Sequence, residues 1–130
     1  MMKRAMSVAA AGMAALSLVA TPAVAHDSVE AANRADAQCL TLFLTAFGLD
    51  ETNMSQEDKM GGTVLIGYYL GKIEARTPGF ALEPMLLDIL TNDMATEAQI
   101  EGIATRCGED AMVMAERMTS VGNSMSKPAE

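Results

Sequence analysis

Only two cysteines, Cys39 and Cys107, stand in this chain of 130 residues, one early and one late in the stretch beyond position 25. Joining them would tie together two segments far apart in the chain, so the fold would have to bring those segments side by side. Whether they join depends on the compartment. Lys3 and Arg4 precede an uncharged run from Ala5 to Ala25 that closes on Ala23-Val24-Ala25. A charged start, an apolar middle and a small-residue end make an export signal, with cleavage expected between Ala25 and His26. Export leads to an oxidising space, where a disulfide between Cys39 and Cys107 persists. The chain-entropy treatment gives a loop of that length about 4 kcal/mol of stabilisation, against the roughly 5–15 kcal/mol that holds a whole domain together.

Other readings of these features fit less well. A redox-active pair needs the closeness of Cys-X-X-Cys, and a zinc site needs more ligands than two cysteines and one histidine. The N-terminal run is long enough to span a bilayer uncleaved, but it is rich in alanine and broken by Ser7, Gly12, Ser17, Thr21 and Pro22. A lipoprotein signal needs a cysteine where His26 stands. No later stretch is both apolar and long enough to span, so stable membrane insertion after cleavage is not expected.

Residues 1–25 are thus read as a signal peptide, and 26–130 as one helical domain whose tail frays from about residue 126. Losing Lys3 and Arg4 takes the formal charge from −8 to −10. Such a surface repels phosphate backbones and anionic lipid, which argues against nucleic-acid binding; its ordinary role is solubility.

Apolar residues from Val29 through Ala32, Ala35, Cys39, Leu42 and Phe43 to Phe47 recur by threes and fours, which predicts a helix over about 28–47 with Gly48 as its stop. Ser55, with Glu57 and Asp58 just after it, suits the cap of a second helix running to about Ala75. Thr63 to Gly71 also has strand character, but Met60, Val64, Gly67 and Gly71 share one helical face while Ile66, Leu70 and Ile73 line the next. The spacing predicts a central helix covered all round, with Gly67 and Gly71 as packing glycines that admit a neighbouring backbone. Glu83 and Pro84 open a short third helix. Thr96 and Gln99 form a capping box ahead of Ile100, Ile103, Ala104 and Cys107, with Gly108 either breaking that helix or lying inside a longer one. Met112, Ala115, Met118, Val121 and Met125 make a final amphipathic stretch. The expected class is all-α: four to five helices, orthogonal or bundle-like, with one disulfide.

Little in this pattern carries catalysis. No serine has a histidine partner in a folded region, no phosphate-binding glycine loop comes after a strand, and the Glu109-Asp110 pair reads as a solvated helix face. His26 and a new terminal amine could chelate Cu(II), but such sites recruit a second histidine. Eight of the twelve methionines lie beyond residue 25. Thioethers bind Cu(I), and Met112, Met114 and Met118 are close together, yet flexible methionines commonly fill cores, and core packing is the reading adopted, with a binding surface as the other. No cofactor, no metal and no enzymatic activity are expected; the partners are other proteins, met through apolar helix faces.

Cys39-Leu40-Thr41-Leu42-Phe43-Leu44 and Ile103-Ala104-Thr105-Arg106-Cys107, in a small acidic helical chain with an export signal, resemble the opening and closing cysteine segments of periplasmic acid-stress chaperones of the HdeA type. The cysteines here are further apart than in that family, and Gly67-Tyr68-Tyr69-Leu70-Gly71-Lys72 matches none of its motifs. The same outline also resembles other small exported helical proteins with two cysteines. The resemblance implies a periplasmic or secreted chaperone-like module; an accessory or structural exported protein is the alternative. Intact mass of exported material should show a chain that begins at His26 and is two hydrogens lighter than its reduced form. An unprocessed terminus, or two thiols alkylated without reductant, would contradict this reading.

Overall fold

The computed structural model describes the backbone of residues 22–50 and 53–126 and the side chains of 26–48 and 53–126. Helix α1 spans Pro22–Asp50, longer than predicted at both ends. Gly48 does not stop it: one interior glycine costs a helix only about 1 kcal/mol, and the turn before it is held by Phe47 against the next helix. The expected signal lies outside the described residues up to position 21. Ala25 falls in the first turns of α1, and His26, expected as a loose terminal residue, is exposed on the same helix.

Helix α2, Gln56–Arg76, starts where Ser55 accepts the Asp58 amide on its side-chain oxygen at 3.1 Å. Helix therefore prevails over strand in Thr63–Gly71. The chain then turns sharply, with the Phe80 amide donating to the Thr77 carbonyl at 3.1 Å. Pro78 and Gly79 occupy its centre, and Gly79 has a φ of 72°, a conformation only glycine adopts without strain. Helix α3, Leu82–Asp88, runs directly into a wider π-turn, Ile89–Asp93, closed by the Met94 amide on the Ile89 carbonyl at 2.9 Å. Helix α4 is one element, Glu97–Met125, opened by the Thr96–Gln99 capping box. Gly108 is tolerated inside it, so of the two alternatives the longer single helix is the one that forms.

The fold is all-α, with no strand among the described residues. Facing pairs show that α1 and α2 run antiparallel: Phe47 lies against Gly62, Phe43 stacks on Tyr69 with ring centres 5.9 Å apart, and Asn33 reaches Thr77. Helix α4 joins them at Cys39 and Cys107, which form a disulfide with Cα atoms 5.5 Å apart. That bond fits an oxidising compartment. No helix among the described residues is long and apolar enough to cross a membrane. Around the bond lies a small core of Leu40, Tyr69, Ile73, Ile89 and Ile103.

Two expectations about packing are overturned. Gly67 and Gly71 are exposed, and a Cβ on either would meet open space. They are not packing glycines, because α2 buries only Tyr69 and Ile73 and leaves the Val64 and Leu70 side largely open. The glycine that does admit a neighbour is Gly62, where a Cβ would overlap the Phe47 ring. The methionines of α4 are likewise not core: Met112, Met118 and Met125 are 66%, 60% and 81% exposed. Gly62→Ala should therefore destabilise by about 1–3 kcal/mol through displacement of Phe47, whereas Gly67→Ala should be neutral or stabilise by up to about 1 kcal/mol. Urea unfolding of the two variants checks this, and the reverse order would contradict it.

Candidate functional site

The buried face of α1 is partly polar. Asn33, Asp36 and Thr41 are buried beside Ala37, Cys39 and Leu40. Asp36 receives Lys72 at 2.7 Å on one oxygen and pairs with Arg76 through the other. Arg76 also donates to Asn33 at 3.1 Å, and Lys72 reaches across to Asp110 of α4 at 3.2 Å. Lys72 lies over the rings of Tyr68 and Tyr69, 5.0 and 5.3 Å from their centres. Burial would favour the uncharged amine, but Asp36 and Asp110 outweigh it and hold the Lys72 ammonium above its usual range. Burial, with Asp110 adding to it, pushes the Tyr69 phenol up. The phenol thus keeps its proton and donates to the Cys107 carbonyl at 3.2 Å. These contacts fix α1, α2 and the middle of α4 in one arrangement.

A second cluster holds α3 and the π-turn to α1. Arg34 grips Asp93 with two nitrogens at 2.8 and 2.9 Å and reaches Asp88 at 2.7 Å, while Gln38 donates to Asp93 at 2.8 Å. The forked geometry is what guanidinium supplies and ammonium does not. Arg106 of α4 extends the cluster by donating to Gln38 at 2.7 Å.

Beyond Cys107 and Asp110, α4 continues past the N-terminal half of α2 without closing on it. The space between is a groove of about 620 Å³. Met60, Val64 and Leu65 form one wall with Gly61 between them, and Ala111, Met112, Met114, Ala115 and Met118 form the other. Glu57 is the one charged residue among the described residues that line it. A smaller cavity of about 360 Å³ on the α1 side shares Glu57, Gly61 and Leu65 and adds Phe43 and Phe47, so the apolar surface continues round the end of α2. The groove stays open because both walls include small residues, Gly61 on one side and Ala111 and Ala115 on the other, which reach too little across the gap to fill it.

The residues singled out from sequence divide accordingly. Cys39 and Cys107 are joined and anchor α4 just short of the groove. Gly67, Gly71 and His26 are not among the groove's lining residues. Asp110 is a structural ion-pair partner, and Glu109 is exposed. The Asp36 cluster was missed; its available signal was Asn33 and Asp36 on the same helical face as Ala37 and Leu40, opposite a second helix ending in Lys72 and Arg76. No family model matches the chain, and neither a curated protein nor a solved structure is significantly similar to it.

The hydrogen bonds from Arg34 hold the Asp93 carboxyl below the usual carboxylate range, against an opposing effect of burial, and they do the same at Asp88. A carboxyl with a depressed native pKa adds stability that is complete above its unfolded value of about 3.9 and is lost as pH falls through the native value. The urea midpoint should therefore fall below about pH 4, and Arg34→Met should make that fall smaller. Identical acid dependence in the two proteins would remove the Arg34 cluster as its source.

Proposed function

We propose that this chain is an exported, non-enzymatic helical module of the periplasm or extracellular space that binds other proteins, in the manner of an acid-stress chaperone. The observation that carries this reading is the open groove between α2 and α4. Its walls are apolar and methionine-rich, and flexible thioether side chains adapt to many partner shapes.

Acid supplies both the clients and the release of the groove. Every salt bridge among the described residues ends on an aspartate: Asp36, Asp88, Asp93 or Asp110. Protonation removes the charge that each cation pairs with, which loosens α2 and α3 from α1 and frees α4 from Lys72. The disulfide still tethers α4 to α1, so the groove widens without the chain coming apart. Unfolded proteins are cationic under the same conditions and expose the apolar segments that the groove accepts.

Light scattering of an unrelated client at about pH 2–3, where carboxylates are protonated, and at neutral pH tests the proposal. The purified protein should suppress aggregation in acid and lose that effect at neutral pH. Replacing both Met60 and Met118 with Glu, at positions too exposed to affect the core, should weaken suppression while leaving the helical circular dichroism at neutral pH intact. No suppression in acid, or full suppression by the double variant, would favour a structural or accessory role instead.

A further inference from the structure

The groove brings together four thioethers that sequence spacing alone leaves apart. Met114 and Met118 are one turn apart on α4 and point to the same side. Met60 lines the groove from α2, and Met112 lines it beside them from α4. Packing leaves most of these side chains open: Met60 is 64% and Met118 60% exposed, while Met114 is half-buried. Three rotatable bonds in each let the sulfurs swing toward a common point, and the small residues between them, Gly61, Ala111 and Ala115, leave the room.

The donor set determines which ion fits. Both thiols are consumed in the disulfide, and no group of His, Cys, Asp and Glu among the described residues could hold a metal ion. What lines the groove is neutral sulfur, which is soft and has no proton to lose. Hard cations that need oxygen ligands are poorly served by it, whereas soft monovalent ions are well served. A single positive charge also suits the setting, because Glu57 lines the groove and the chain around it is acidic.

We propose that Met60, Met114 and Met118 form a binding site for a soft monovalent cation, Cu(I) or Ag(I), held by three thioether sulfurs across the α2–α4 groove. The ion bridges the two helices at a level where no side-chain hydrogen bond among the described residues does. Binding involves no change of oxidation state and displaces no proton from the protein, so protons do not compete for the ligands as they do at thiolate or imidazole sites, and affinity changes with pH only where acid widens the groove. The site does not depend on the protein-binding reading: leucine in place of methionine keeps an apolar wall of similar volume and removes only the sulfur.

The disulfide-bonded protein is titrated without oxygen with Cu(I) against a bicinchoninate competitor, and with Ag(I) while the methionine methyl signals are followed by NMR. About one ion should bind per chain, with the largest methyl shifts at Met60, Met114 and Met118 and small ones at Met54, Met85 and Met94. The M60L/M114L/M118L variant should bind at least roughly a hundredfold more weakly while its helical circular dichroism and urea midpoint stay as in the parent. Failure to compete with bicinchoninate, shifts spread evenly over the methionines, unchanged affinity in the triple variant, or loss of binding in His26→Ala instead would each overturn the proposal. A client effect lost with metal binding intact would count against the chaperone reading alone.

Discussion

A buried carboxylate sets the arrangement of this protein. Asp36 lies in the face of α1 that packs on α2, where an uncompensated charge would cost several kcal/mol. It is tolerated because Lys72 and Arg76 reach it, and those two side chains can do so only when α2 lies antiparallel to α1 in one register. Lys72 then has a hydrogen left for Asp110, which brings in α4, and Arg76 has one for Asn33. The apolar core is too small to specify so much. Eight buried apolar residues among those described favour contact between helices but not one rotation over another, whereas the fork of Arg76 and the two partners of Lys72 do. The disulfide secures α4 against a pairing that the ions have aligned.

What was legible in the sequence was local. Ser55, the Thr96–Gln99 box and Thr77-Pro78-Gly79 act on amides within a few residues of themselves, so their caps and turn stand where expected. The pairing of Cys39 with Cys107 results from there being only two thiols. What was not legible depends on how far apart helices come to rest. Gly67 and Gly71 satisfy the spacing of a close-approach motif, yet the neighbour crosses at Gly62, because the bulk of Phe47 decides where α1 meets α2. The π-turn at Ile89–Asp93 has no residue pattern of its own; the extra residue in that turn puts Ile89 in the core while Asp93 faces Arg34, a compromise visible only in three dimensions.

The groove failed to show in the sequence for a related reason. Met112, Ala115 and Met118 have the periodicity of a core stripe, and periodicity says that a face is apolar without saying that anything covers it. Cover would have required α2 to present large residues opposite Ala111 and Ala115. It presents Gly61, and large neighbours at Met60 and Val64 that stay largely exposed. An apolar stripe on one helix and a small-residue gap on the other are each ordinary, and only their juxtaposition makes a site.

Helix α4 has one more consequence. From Ala115 to Ser126 every residue is exposed, so the last three turns are a cantilever fixed at the disulfide and at Asp110. A helix of that length is marginal in water without side-chain support. Its backbone order therefore depends on what its apolar side touches. Under the proposed binding role, an occupant of the groove would do more than fill space: it would hold the arm in the helical form, and part of its binding free energy would go to that ordering. Affinity there would accordingly depend on the arm's helicity as much as on the contacts made, so substitutions at its solvent face, far from any ligand, would act as a dial on binding.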